Sequence, residues 1–166
     1  MTNFDFLTEE KDFASFSSVA VAAEKTFHID LDTCVVNCRR AMEFAVKWMY
    51  TVDADLTLPD YDDNLVTLLG TEEFRDIVGA AMLSRMHYIR KLGNVATHSH
   101  QKVTEDQARL CLENLFYFMD MVAYFYADDH TAREYDPTLP DKQNETLLDH
   151  SVEINIEELI KENEKL

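Results

Sequence analysis

Glycine and proline are scarce in this chain, with only 3 of each among 166 residues. Tight turns consume those two residues, so an all-β fold of this size is disfavoured and helices joined by short loops are expected. No apolar run approaches the roughly 20 residues needed to cross a bilayer, so no membrane span is expected. The opening Met1–Phe6 carries neither the basic nor the apolar region of a secretory signal. Cysteine is short too. Three thiols cannot make a full disulfide set, and Cys34, Cys38 and Cys111 all fall in apolar, helix-like surroundings. Reduced core thiols and a cytoplasmic location are the expectation. Positive charge is the last deficit: 15 Lys and Arg stand against 32 Asp and Glu, a net charge of −17. Such a surface repels nucleic acid at long range.

What is present is apolar mass. Hydrophobic residues make up 46% of the chain and aromatics 11%, enough to bury a real core within one domain of ordinary length. The charge is unevenly spread. Residues 1–74 sum to −10 and residues 103–166 to −11, whereas residues 75–102 sum to +4. That central segment holds Arg75, Arg85, Arg90, Lys91 and Lys102, three of the six histidines, and one acid, Asp76. Any anion binding must therefore be local to it. The plain alternative is that these bases pair with the surrounding acids.

Helical spacing runs through most of the chain. Phe13, Phe16, Ala20, Ala23 and Phe27 place a first helix over about 9–27. Val35, Cys38, Met42, Ala45 and Met49 mark a second, capped by Asp32 or Thr33 and running to about Tyr50. A short helix near Asn64–Leu69 follows a polar loop. Thr71 then caps an element that Gly79 loosens or splits, and Gly93-Asn94 reads as its stop or a sharp turn. Thr104 with Gln107 forms a capping box ahead of a helix with Cys111, Leu115, Phe118, Val122 and Phe125 on its apolar side. The expected layout is a helical bundle over 1–127 and a polar linker of low order over 128–150. The start of a further, coiled-coil-like helix follows over 151–166, with Val152, Ile156, Leu159 and Leu166 on its seam. A seam that begins just before the last residue suggests a piece cut from a longer protein.

The most informative stretch is Arg90-Lys91-Leu92-Gly93-Asn94-Val95-Ala96-Thr97-His98. If the helix breaks at Gly93, Arg90 lies one turn before the break and His98 one turn after Asn94, so three polar heads converge. An Arg fork suits a phosphate, and a His can act as general acid or base near neutral pH. The competing reading makes Asn94 a helix cap and His98 a hydrogen-bonded brace across the bundle.

Taken together, CRRAMEFAVKWMY (Cys38–Tyr50), KLGNVATH (Lys91–His98) and ENLFYFMDMVAYFY (Glu113–Tyr126) resemble one known helical domain. The opening Phe4–Leu7 and Phe13–Phe16 fit the same pattern. It is the amino-terminal domain of unknown function on the R subunit (restriction and translocation) of type I restriction enzymes. The resemblance covers roughly residues 4–135. It implies an all-α, HEPN-like bundle of about four to six helices, a superfamily in which many members are ribonucleases with an Arg-x(4–6)-His signature. Gly93 stands where many of those ribonucleases place the Arg, and the nearest upstream Arg, Arg90, is separated from His98 by seven residues.

The resemblance further implies a cytoplasmic parent protein that is an ATP-dependent site-specific deoxyribonuclease using ATP and Mg. Its nuclease and motor domains would lie elsewhere, and this domain would need no cofactor. No Gly-x4-Gly-Lys-[Ser/Thr] loop and no carboxylate-plus-lysine nuclease motif occurs in the chain, so ATP hydrolysis and DNA cleavage are not expected in it. The expected partners are the other subunits of a type I restriction-modification complex, with DNA reached only through other domains and with self-association possible. The implied role is accessory: subunit docking or sensing of an anionic ligand. Arg90, Gly93, Asn94 and His98 are the candidate binding residues, with Arg39 and Arg40 beside them. His98 with Arg90 is the catalytic pair of the alternative ribonuclease, and plain oligomerisation is the third reading.

Smaller signals point to structure. His98-Ser99-His100 alone falls short of a metal's coordination shell, and Cys34 with Cys38 lacks a second pair for zinc. The aromatic run Tyr117–Tyr126 is expected to pack rather than to stack bases, since Asp120, Asp128 and Asp129 surround it. Asp60, Asp62 and Asp63 lack the spacing of a calcium loop.

Overall fold

A computed structural model describes residues 1–143. Its order is two 3-10 turns (Asp5–Glu9 and Lys11–Phe13), α1 (Ala14–Lys25), α2 (Leu31–Val52), α3 (Leu65–Leu69), α4 (Glu72–His98) and α5 (Glu105–Tyr126). There is no strand among the described residues, and the fold is an all-α bundle. The seam over 151–166 lies outside the described residues.

The starts of α2, α3, α4 and α5 are each held by a side chain that accepts from a free backbone N–H, a contribution of about 1 kcal/mol apiece, whereas α1 follows Phe13 with no side-chain cap. Asn64 caps α3 through Thr67, and Thr71 caps α4 through Phe74. Thr104 and Gln107 exchange both bonds of the capping box at α5. At α2 the cap is Asp30, not Asp32 or Thr33: its carboxylate accepts from the Thr33 N–H and hydroxyl. Asp32 instead accepts from the Val103 N–H at 3.2 Å, tying the α4–α5 loop to the start of α2.

Helix α2 is central and packs against α1, α4 and α5. Its inner face carries Cys34, Val35, Cys38, Ala41, Met42, Ala45, Val46 and Met49, all without exposed surface. Cys111 of α5 completes a buried trio of thiols; burial and the neighbouring sulfurs push the Cys38 thiol well above the ordinary range. Neutral, packed thiols result. The aromatic run of α5 divides as its helical period demands. Phe116 and Phe118 are buried, while Tyr124 and Phe125 face outward.

Helix α4 is interrupted at Gly79, whose φ of 80° lies in the region that side-chain-bearing residues avoid. Gly93 is no interruption. The helix runs through it to His98, and the glycine is buried where α4 crosses α2. A Cβ there would lie 2.5 Å from Arg39 Cδ and 2.8 Å from Arg39 Cβ. The missing side chain thus serves close helix approach, which overrides the helix-stop tendency of Gly-Asn.

The segment expected to be a polar linker is described as far as residue 143, and that part packs onto the bundle. Arg133 lies 3.9 Å over the Phe6 ring, Tyr135 packs on Phe116, and Leu139 is buried. Asn3 donates through Nδ2 to the Asp136 carbonyl at 2.9 Å and accepts the Asp136 N–H at 2.8 Å. Residues 128–143 are therefore a strap across the amino-terminal end. A few large side chains anchor it despite its polar average. Beneath it Glu24, fully buried, accepts the Asn3 N–H at 2.9 Å and the Asn3 side chain at 2.7 Å. Burial pushes its carboxyl up to about 7, against the opposing pull of the two Asn3 bonds.

Candidate functional site

Because α4 continues through Gly93, the expected convergence of Arg90, Asn94 and His98 does not occur. At 1.5 Å rise per residue, Arg90 and His98 stand about 12 Å apart along the axis, with Asn94 midway. Steps of four keep all three on one side of the helix. They form a row. Arg90 and Asn94 are half-buried and His98 is exposed. No hydrogen bond of the Asn94 or His98 side chain occurs among the described residues, so neither acts as the expected cap or brace there. The α4 C-terminus is closed by its own backbone, the Ser99 N–H donating to the Val95 carbonyl.

Arg39 and Arg40 part company. Arg39 runs its alkyl chain over Gly93, and its Nε is buried without a partner. Arg40 points to the other side of α2 and lies 5.7 Å over the Phe44 ring. Phe44 lines a separate apolar groove with Trp48, Lys47, Ser15 and Thr51. Only Arg39 of the two therefore stands beside the row on α4.

The residue missed from sequence is His87. Arg90 Nε donates to His87 Nδ1 at 3.2 Å, which leaves the ring proton of the neutral histidine on Nε2. Both residues line a groove of about 490 Å³ with Ser84, Tyr88 and Lys91. Partial burial and then the positive charges of Arg90, Lys91 and Arg75 hold the His87 pKa below its ordinary value. The spacing could have shown it: His87 lies three residues before Arg90, one turn away on the same side.

The electrostatics of this face are unusual for so acidic a chain. The ion pairs made by Lys47, Arg109 and Arg133 all lie outside residues 75–102. Arg85 is occupied, donating to Asn114 Oδ1 at 2.8 Å with its guanidinium 4.4 Å over Tyr117. Arg75, Arg90 and Lys91 have no carboxylate partner among the described residues. The reading in which the central bases simply pair with surrounding acids fails for them. Among the described residues no three His, Cys, Asp or Glu side chains gather as a metal ion would require, and no helix is long and apolar enough to cross a membrane.

Fold and site together define, among the described residues, an all-helical bundle domain with a basic face that has no carboxylate partner, on an acidic body. The chain matches the family described as Domain of unknown function (DUF4145) over residues 21–150 and belongs to it. Comparison with curated proteins and with solved structures yields no match.

Proposed function

We propose that this chain is an accessory, non-catalytic domain of the R subunit of a type I restriction enzyme, working in DNA restriction by subunit docking or by sensing an anionic ligand through the outer face of α4. The observation that carries this reading is the set Arg75, Arg90 and Lys91, unpaired among the described residues of a chain of net charge −17. Unpaired cations grouped on one face cost stability through mutual repulsion, so their retention speaks for an external negative partner. The motifs of Cys38–Tyr50, Lys91–His98 and Glu113–Tyr126 supply the restriction-enzyme context by resemblance. ATP, Mg and DNA would engage other domains of that parent protein.

The test is association of the domain with the other subunits of such a complex, wild type beside Arg90→Gln/Lys91→Gln. Loss of association in the variant, with the circular dichroism unchanged, is expected. Association that survives the double substitution removes docking through this face.

A second reading is favoured by one observation: His98 is exposed, so its ring is open to a substrate, as the general base of a ribonuclease must be. Labelled RNA and DNA incubated at low salt with wild type and His98→Ala decide it, since cleavage lost in the variant establishes the nuclease. The oligomerisation reading rests on residues 151–166, outside the described part. Trimming after residue 143 tests it by mass in solution.

A further inference from the structure

We infer that the groove lined by Ser84, His87, Tyr88, Arg90 and Lys91 is a binding site for a small polyphosphate of nucleotide size; this rests on the anionic-ligand form of the function proposed above. The donor set fits that chemistry. Arg90 spends its Nε on His87, leaving both terminal amino groups of the guanidinium for two oxygens of one phosphate. Lys91 adds a point charge, Ser84 a hydroxyl, and the neutral His87 an Nε2–H. No carboxylate lines the groove. Its volume of about 490 Å³ lies within the range of small-molecule sites, roughly 300–1,000 Å³.

Charge decides between a compact anion and a long strand. Attraction between exposed charges fades over about 8 Å at physiological ionic strength. A triphosphate places all its charge inside that radius. A nucleic acid strand would extend beyond the groove over a chain whose net charge is −17, where each further phosphate is repelled.

The break at Gly79 widens the positive field. The charged groups that act on the His87 ring all come from α4 and are all positive: Arg90, Lys91 and, from across the break, Arg75. In an unbroken helix Arg75 would stand about 18 Å along the axis from His87. A bound anion offsets the positive field and so draws a proton onto His87. Binding then tightens as pH falls through the histidine range.

The experiment is calorimetric titration of the full chain at low salt with sodium tripolyphosphate, orthophosphate and a short single-stranded oligonucleotide. Tripolyphosphate is expected to bind at least about tenfold more tightly than orthophosphate. Arg90→Gln/Lys91→Gln should weaken it on the order of 100-fold, as for two lost charge-assisted contacts. The His87 ring resonances should titrate at higher pH with tripolyphosphate bound than without. Wild-type protein that ignores tripolyphosphate, a double variant that binds it unchanged, or an oligonucleotide that binds more tightly through the same residues overturns the inference. If tripolyphosphate fails while the variant still loses its partner subunits, the polyphosphate site falls and the docking reading stands. If both fail, both fall.

Discussion

The strap side of the bundle and the outer face of α4 use charge in opposite ways. On the strap side Arg109 and Arg133 are both paired with acids. Arg109 bridges Glu105 and Asp141 at 2.7 Å each, and Asp120 accepts from Arg133 at 2.9 Å. Two histidines join these clusters, His28 on Asp141 and His130 on Asp120. Those contacts fasten residues 128–143 to the turn between α1 and α2 and to α5. On α4, Arg75 and Lys91 are exposed and Arg90 is half-buried, and none of the three has a carboxylate partner among the described residues. Charge that is paired holds structure, and charge left unpaired is available to something outside the molecule. The difference is a matter of partners, since acids outnumber bases on both flanks of the basic segment.

The sharpest way to break this contrast is at Glu24, a fully buried acid on the strap side held by Asn3 rather than by an ion pair. Its folded pKa of about 7 lies above the unfolded value, so the folded state binds the extra proton between roughly pH 4.5 and 7. Stability from this group is present below that window and declines as pH rises through it, by up to about 3 kcal/mol. Urea midpoints between pH 5 and pH 8 should fall in wild type and stay nearly level in Glu24→Gln. A wild-type profile flat over that window would remove the buried carboxylate from the account.

Next in size is Gly93→Ala, where the new Cβ meets Arg39 and the α2–α4 crossing must open. A loss of about 2 kcal/mol is expected in urea denaturation, in spite of alanine's better helix propensity. An unchanged or raised midpoint would mean that the Arg39 side chain yields freely. Asp120→Asn weakens the hold on Arg133 and His130 and should cost about 1 kcal/mol, read as earlier proteolysis within 128–143. Smallest is the α4 face: Arg90→Gln and Lys91→Gln should each change stability by less than about 0.5 kcal/mol, or raise it slightly in low salt. Equal losses from Asp120→Asn and Lys91→Gln would erase the distinction between the two regions.

The helices were legible because periodic burial is a local signal. Phe13 to Phe27, Val35 to Met49 and Ala108 to Val122 each mark an inner face that the bundle buries. The caps Thr71 and Thr104 were legible for the same reason, since donor and acceptor lie three residues apart. The glycines were harder. Gly79 does break α4, whereas Gly93 does not, because a missing side chain serves a turn and a close helix crossing equally well. Only the position of Arg39 on the neighbouring helix separates the two. The strap failed a composition test because its anchoring on apolar groups rests on few residues, Tyr135, Leu139 and Arg133. Polar residues such as Asp136 and Asp141 fasten it through distant partners that composition does not show. The candidate site was half legible: Arg90 was marked by its segment's charge, while His87 was overlooked one turn away.

What this sequence determined by itself is the all-helical class, the caps Thr71 and Thr104, the acidic body and the location of the one basic segment. These follow from residue type and spacing along the chain. The tertiary structure alone decided that α4 runs on through Gly93, so that Arg90, Asn94 and His98 stand in a row. It also decided that Arg40 leaves the site and that Arg75, Arg90 and Lys91 have no carboxylate partner among the described residues. Each of those outcomes depends on which distant residues come within a few ångströms, and pair distances across a bundle are set by packing rather than by order along the chain.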